Sequence, residues 1–195
     1  MTWTDNAFVN VTGGAQTGSH TLATSTPFDL YDEKGTVSSS QKVGGGGFFD
    51  VSAGYKVWRN LAVGLGYSRS GSKASAIVNA SVPDPLLYDR PRSVEATASG
   101  LKHSENAVHL AGTWMIPVTD KIDLGLSAGP SIFSVKQDLP GSVTVTEPGA
   151  SVSSVAITGV KKTTVGMNLG VDVTYLLTKR IGVGGLARYT WGSAD

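Results

Sequence analysis

The residue types that could support catalysis are few and dispersed in this sequence. The most suggestive run is residues 102–105, Lys-His-Ser-Glu, which places a base, a hydroxyl and an acid side by side. If this run is extended, successive side chains point to opposite faces, so these groups cannot converge on one reacting atom. A hydrolase would have to draw on only three histidines, and we expect no metal site from residues so dispersed. The histidines are His20, His103 and His109.

A second set of chemically relevant residues consists of charged and imidazole side chains that alternate with apolar residues. Their neighbours of the same parity are mostly Gly, Ser and Thr, as if this face lined a narrow interior. Charges confined there must pair or meet water, because an isolated buried charge is very costly. We predict a structural charge network, with a gated path for small ions as the alternative. Its candidates are Asp50, Lys56, Glu105, His109, Asp123, Asp172 and Arg188, with Asp172 and Arg188 as expected partners.

The segments that carry these residues alternate with period 2, which is typical of β-strands with two unlike faces. In residues 165–177 every odd residue is large and apolar, whereas the even residues are mainly Gly, Asn, Asp and Thr. A soluble barrel or sandwich would place its bulk inside. Here the small, polar face suits a confined interior, so we expect the apolar face to point outward into lipid.

The same alternation predicts seven strands in an up-and-down meander. Their connections alternate between tight turns at 58–60, 119–121 and 178–180 and long loops at 26–41, 83–92 and 138–150. Strands such as 93–118 exceed the roughly 9–11 residues that cross a bilayer. We therefore expect strands to project beyond the membrane at the long-loop end, with 142–146 and 151–158 as extensions. The strands are predicted at 7–16, 48–57, 61–68, 108–116, 122–129, 165–177 and 181–191.

Composition excludes several functional classes. The formal net charge is +1, with 16 Lys and Arg against 15 Asp and Glu, so we expect no nucleic-acid partner. No apolar run is long enough for a transmembrane helix. The absence of cysteine excludes disulfides and thiolate chemistry. The run Gly44–Gly47 lacks the helix and lysine of a phosphate loop, so we expect no cofactor.

Aromatic residues of outward parity fall into two groups, one near the tight turns and one farther from them. Trp and Tyr concentrate at the two interfaces of membrane barrels, so we predict two interfacial girdles. The alternative is the general preference of aromatic residues for strands. The girdle residues are Tyr55, Trp58, Trp114 and Tyr175 near the turns, and Tyr67, Tyr189 and Trp191 farther away.

Two hairpins, residues 50–67 and 170–185, share one form: a Tyr-containing strand, a polar turn, and a strand in which Gly alternates. In these motifs, and over most of residues 48–191, the chain resembles the small outer-membrane β-barrels of Gram-negative bacteria, the OmpA/OmpX/OmpW-like eight-stranded domains. The resemblance implies an all-β, antiparallel, up-and-down transmembrane β-barrel in the bacterial outer membrane. It also implies contact with outer-membrane lipid and lipopolysaccharide, and long extracellular loops able to bind a ligand.

Two features depart from that family. Bacterial barrels have an even number of strands, whereas seven are predicted here. The chain also begins without a secretory signal and ends at Asp195, soon after the seventh strand. We therefore expect a single domain over residues 1–195 that lacks a signal peptide and its closing strand.

The sequence favours a non-enzymatic outer-membrane protein that anchors itself and binds through its long loops. One alternative is a narrow passive channel for small or hydrophobic solutes, and another is an outer-membrane lipid-modifying hydrolase or acyltransferase. A soluble lipocalin-like barrel is a further alternative. It requires the side chains of Leu65, Val171 and Val173 to point inward.

Overall fold

The computed structural model describes residues 6–146 and 151–192, and this part of the chain consists of β-strands and the turns and loops that connect them. It contains no helix of the length and hydropathy that a membrane-spanning helix requires. The all-β class predicted from the alternation is confirmed. The nine described strands are β1 Ala7–Ala15, β2 His20–Leu30, β3 Glu33–Val43, β4 Gly47–Trp58, β5 Leu61–Val82, β6 Arg92–Pro117, β7 Ile122–Thr146, β8 Ser151–Leu176 and β9 Gly182–Gly192.

All nine strands belong to one curled antiparallel sheet. Seven of them follow the order β1-β4-β5-β6-β7-β8-β9, which is the predicted meander. β1 and β9 each pair with one strand among the described residues, so the described sheet is not closed. The three tight turns join β4 to β5, β6 to β7 and β8 to β9 at one end of the sheet.

The strand β5 changes partners along its length and so divides the molecule into two zones. Residues 61–71 of β5 pair with β4, whereas residues 75–81 pair with β3, which in turn pairs with β2. We call the part that contains β1, β4 and β9 the lower zone, and the part that contains β2 and β3 the upper zone. β5, β6, β7 and β8 run through both.

The glycine run 44–47 carries the chain from β3 to β4 at the junction of the two zones. A Cβ atom at Gly46 would lie 2.1 Å from the carbonyl oxygen of Gly71. On its other side Gly46 exchanges backbone hydrogen bonds of 2.8 and 3.1 Å with Gln16. Gly46 is therefore required by the close approach of neighbouring backbones.

The prediction of seven strands is wrong, because residues 26–41 form most of the β2–β3 hairpin and not a loop. Its turn uses Tyr31 and Asp32, both with positive φ, and its arms face each other with hydroxyls such as Thr24 and Ser39, 2.7 Å apart. The loop predicted at 138–150 is also wrong over its described residues, since β7 continues to Thr146. The strand extensions at 142–146 and 151–158 are confirmed, and so is the long connection between β5 and β6.

The two zones bury opposite kinds of side chain. The upper zone has an ordinary apolar core, whereas the inward face of the lower zone is largely polar, with buried Asp50, His109 and Asn168. The apolar core consists of Val37, Val43, Ala74, Ala76, Val78, Ala80, Val82, Ala98 and Leu101, against which Leu22, Phe28, Leu30, Val94 and Val155 pack.

Candidate functional site

A ladder of polar side chains crosses the interior of the lower zone on four consecutive strands. His109 on β6 contacts Ser68 on β5 through Nε2, at 2.8 Å, and Ser131 on β7 through Nδ1, at 2.7 Å. Asn168 on β8 donates from Nδ2 to the Ser131 hydroxyl and to the Gly129 carbonyl, both at 2.8 Å. Both ring nitrogens of His109 are therefore satisfied, as burial of an imidazole requires.

An ion pair joins β4 to β9 across the interior. Arg188 on β9 donates from a terminal guanidinium nitrogen to Oδ2 of Asp50 on β4. The side chain of Asp50 is fully buried and that of Arg188 is 11% exposed. Asp50 Oδ1 and Arg188 Nε have no hydrogen-bond partner among the described residues, so the contact uses one atom of each group.

The position of this pair shows that the strands are inclined to the axis of the curled sheet. Starting at Arg188, the row of residues that are register partners on successive strands passes through Gly170, Ser127, Thr113 and Ala62. It ends on β4 at Lys56. Yet Arg188 contacts Asp50, six residues away from Lys56 on β4. Residues that follow one another along the hydrogen-bonding direction therefore do not lie at the same height in the curled sheet. This stagger is what curling a sheet into a barrel imposes.

The other predicted network residues face inward without joining this pair. Lys56, Glu105, Asp123 and Asp172 lie at inward positions and are half-buried. Asp172 accepts a 2.8 Å hydrogen bond from the Thr174 hydroxyl.

The predicted partnership of Asp172 with Arg188 is not what the structure shows. Asp172 is opposite Leu186 in the β8–β9 register, whereas Arg188 is opposite Gly170 and extends across the interior to Asp50. The structure thus joins Asp50 to Arg188 and places His109 in a separate polar ladder.

The histidines do not assemble a catalytic site within the described residues. His103 is buried and its Nδ1 hydrogen-bonds to Gln137, whereas Ser104 points to the opposite face. His109 lies beside two serine hydroxyls but is 1% exposed, so no substrate could reach it in this arrangement. The side chain of His20 lies outside the described residues. No group of three metal-binding side chains occurs in the described ranges.

Charge-based reasoning missed the uncharged members of the ladder. Ser68, Ser131 and Asn168 are nearly fully buried, and Phe133 packs edge-on against His109 with ring centroids 6.2 Å apart. The signal in the sequence that could have identified them is the alternation of inward and outward positions along each strand. Asn168 lies on the even, inward face of residues 165–177, where a bulky amide among glycines has to find partners inside.

The outward face of the lower zone is a continuous apolar band. Along β8, outward residues from Val165 to Tyr175 are 41–67% exposed. Ten residue steps of a strand tilted by 35–45° rise about 25 Å, which is the height of the apolar band of an outer-membrane barrel. The seven residues proposed as girdles all face outward and are exposed: Tyr55 57%, Trp58 62%, Tyr67 43%, Trp114 47%, Tyr175 43%, Tyr189 69% and Trp191 46%.

This exposure also removes the lipocalin-like alternative. That alternative places Leu65, Val171 and Val173 inside, but they are 62%, 41% and 47% exposed on the outward face. The alternation is therefore inverted relative to a soluble ligand-binding barrel.

Comparison with protein families agrees with this geometry. The family model described as the OmpA-like transmembrane domain matches residues 11–193. The chain belongs to this family. As an OmpA-like protein it is an outer-membrane β-barrel protein, and the resemblance seen in its two hairpins is confirmed. Its family is in general structural rather than enzymatic. No curated protein and no solved structure matches the chain.

Proposed function

We propose that this OmpA-like chain is a non-enzymatic protein of the bacterial outer membrane, anchored by its lower zone and binding extracellular ligands with its upper zone. The observation that carries the proposal is that both faces of β5 change their polarity along the strand. Its outward residues change from Leu65 and Tyr67 to Arg69 and Lys73, while its inward residues change from Ser70 to Ala76. One strand thus passes from a lipid-facing surface to a water-facing one.

The buried interior supports anchoring over transport. Asp50, His109, Ser131 and Asn168 are each at most 1% exposed, so these polar groups are packed against protein atoms and do not line an open path for water. An eight-stranded barrel is just wide enough for side chains to fill. The polar ladder and the Asp50–Arg188 pair therefore act as a plug that stabilises the barrel, and we expect no ionic conductance through it.

The upper zone offers the surface for binding. A shallow groove of about 450 Å³ runs between β3, β5 and β6, and its lining includes the hydroxyl and amide side chains of Ser38, Asn79 and Ser93 and the carboxylate of Glu95. This lining suits a polar ligand, because hydroxyl and amide groups donate and accept hydrogen bonds. Strand β3 of the β2–β3 hairpin forms one wall of the groove through Thr36 and Ser38.

Electrophoresis in detergent with and without boiling tests the anchoring function. A folded outer-membrane barrel resists the detergent, so the full-length protein is expected to migrate differently before and after heating. Equal migration under both conditions, after the protein has been refolded in lipid vesicles, would refute the proposal. The Asp50→Asn variant provides a useful comparison, since the Arg188 guanidinium left without its counter-charge should lower the temperature at which the mobility changes.

A further inference from the structure

The long connection between β5 and β6 presents three consecutive large side chains to water. Leu86 is 89% exposed, Leu87 53% and Tyr88 80%, and Leu86 and Tyr88 are the most exposed large apolar side chains of the described residues. Tyr31 in the β2–β3 turn is 47% exposed. We call Tyr31, Leu86, Leu87 and Tyr88 the apolar tip. A group of exposed large apolar side chains on a water-facing surface marks an interaction site.

The loop that carries the apolar tip is ordered by its own polar groups. Asp84 Oδ1 accepts the backbone N–H groups of Leu86 at 2.9 Å and of Leu87 at 3.2 Å, as in an Asx turn. The other carboxylate oxygen of Asp84 forms an ion pair of 3.4 Å with Arg92 at the start of β6. A loop that is ordered before it binds loses little conformational entropy on binding.

The base of the loop is fixed to the rest of the upper zone. Val82 belongs to the apolar core, and the next residue, Pro83, is fully buried. The backbone N–H of Asp89 donates to Glu33 Oε1 at 3.1 Å, which joins the loop to the β2–β3 turn. The chain therefore buries the base of the loop and leaves its largest apolar side chains in water.

The height of the apolar tip excludes the protein's own membrane as its partner. Val82, the last residue of β5, is 21 residues from Leu61 at the tight turn. At about 2.5 Å of rise per residue in a tilted strand, Val82 lies about 50 Å above the tight turns. The apolar band of an outer-membrane barrel is about 25 Å tall, so the tip lies about 25 Å beyond it. The partner must approach from the extracellular side.

The small size of the apolar tip favours a lipid surface over a protein pocket. Its four side chains expose roughly 500 Å² in total. A stable protein interface takes about 800 Å² from each partner and requires complementary shapes. Insertion into the headgroup region of a bilayer requires no complementary shape, and apolar side chains reach about 5–10 Å deep there.

The charges beside the apolar tip favour a lipid surface without net charge. Residues 29–34 and 84–92 contain five acidic residues against three basic ones, so their net charge is −2. An anionic lipid surface attracts basic segments and repels acidic ones. A zwitterionic surface such as phosphatidylcholine carries no net charge and imposes no such repulsion.

We propose that the apolar tip inserts into a second, zwitterionic lipid membrane that faces the outer membrane, an inference that rests on the proposed membrane-anchoring function. Leu86 and Leu87 enter the apolar side of the headgroup region. The rings of Tyr31 and Tyr88 lie at the interface, where an aromatic ring meets lipid and its hydroxyl meets water. The lower zone holds the protein in one membrane and the upper zone attaches it to another.

Binding of the folded full chain, held in nanodiscs, to a supported phosphatidylcholine bilayer tests the inference. The tip variant carries Leu86→Ser and Leu87→Ser. A matched control carries Ile77→Ser and Ile157→Ser, two residues outside the tip that are 50% and 52% exposed. Burial of each leucine in lipid strengthens binding by about tenfold or more, so the tip variant should bind about a hundredfold more weakly. The control should change by less than about threefold.

Two further measurements identify the lipid and the inserted residues. At low ionic strength a phosphatidylglycerol bilayer should be bound roughly tenfold more weakly than phosphatidylcholine, because it repels the net negative charge beside the tip. The chain has no cysteine, so an environment-sensitive dye can be attached in the Tyr88→Cys variant and, as a control, in Lys121→Cys. Addition of phosphatidylcholine vesicles should shift the emission of the first dye to shorter wavelength and leave the second unchanged.

Equal binding of the tip variant and its control would overturn the inference, and so would an unchanged dye at position 88. Binding only to bilayers that also hold the protein would overturn it in favour of a second copy of the chain. Absence of binding by the unmodified protein would overturn it in favour of a protein pocket. Heat-dependent mobility of every variant is measured alongside. If that mobility is retained while tip-dependent binding is absent, the tip inference fails and the anchoring function stands.

Discussion

The buried contact between Asp50 and Arg188 makes a sharp prediction about stability. The Asp50→Asn variant keeps the size of the side chain but leaves the guanidinium, 11% exposed, without its counter-charge. Removing one partner of a buried pair costs about 3–5 kcal/mol, because the remaining charge stays desolvated. Since the contact already leaves Asp50 Oδ1 and Arg188 Nε unpaired, we expect the lower end of that range, about 3 kcal/mol.

A double-mutant cycle separates the ion pair from simple loss of packing. The second single variant is Arg188→Met, and the double variant removes both charges. The free energy of unfolding lost in the double variant should be at least about 2 kcal/mol smaller than the sum of the losses in the two single variants, since no unpaired charge is left inside. Lys56→Met is the control, because Lys56 faces the same interior without an ion pair to a described residue and should cost under about 1 kcal/mol.

Urea unfolding in phospholipid vesicles, followed by the fluorescence of the four tryptophans, measures these free energies. Two results would refute the reasoning. One is a cost below about 1 kcal/mol for Asp50→Asn, and the other is strict additivity in the double variant.

Two further predictions concern the strand junction and the orientation in the membrane. Gly46→Ala should destabilise the barrel by more than about 2 kcal/mol, because its Cβ would meet the Gly71 oxygen at 2.1 Å. Gly44→Ala is the control, since the new atom has open space around it, and it should change stability by less than about 0.5 kcal/mol. Comparable urea midpoints for the two variants would contradict this account. Because the chain has no cysteine, Tyr88→Cys in the long β5–β6 connection should react with a membrane-impermeant maleimide on intact cells, and Lys121→Cys in a tight turn should react only after lysis. The reverse labelling pattern would show that the orientation is wrong.

Much of the lower zone could be predicted from the sequence because the pleat of a strand imposes a period of 2 on its side chains. The odd residues of 165–177 are outward and the even residues inward, as the alternation indicated. Tight turns between such segments then determine the meander. These features depend only on residues close together in the chain, which is why local pattern was enough.

The β2–β3 hairpin was not predictable in the same way. Residues 36–42 consist mainly of Ser, Thr and Gln, and their alternation carries little contrast between apolar and polar faces. They become a strand because the upper part of β5 offers them a hydrogen-bonding edge, with Lys42 opposite Ser75 and Thr36 opposite Ser81. Turn-forming composition was therefore an unreliable guide, since a tertiary partner decided the conformation.

The sequence was enough to predict which residues face the interior, but not which of them contact each other. Parity placed Asp50, His109 and Arg188 inside, yet their partners depend on how far the sheet is staggered when it curls. Asp50 and Arg188 are 138 residues apart in the sequence, and no local pattern encodes a contact across the interior. The same limit explains why the sequence alone predicts Arg188, a near neighbour on the adjacent strand, as the partner of Asp172.

The most direct test of the account compares one substitution at two positions on the same face of β5. Leu65 and Ile77 both point outward and are 62% and 50% exposed, but Leu65 lies about 10 Å above the tight turns, inside the apolar band, and Ile77 lies in the upper zone. In lipid vesicles, Leu65→Arg should lower the free energy of unfolding by about 2–4 kcal/mol, and Ile77→Arg should change it by less than about 0.5 kcal/mol. Equal effects at the two positions would contradict the claim that the outward band of the lower zone faces lipid.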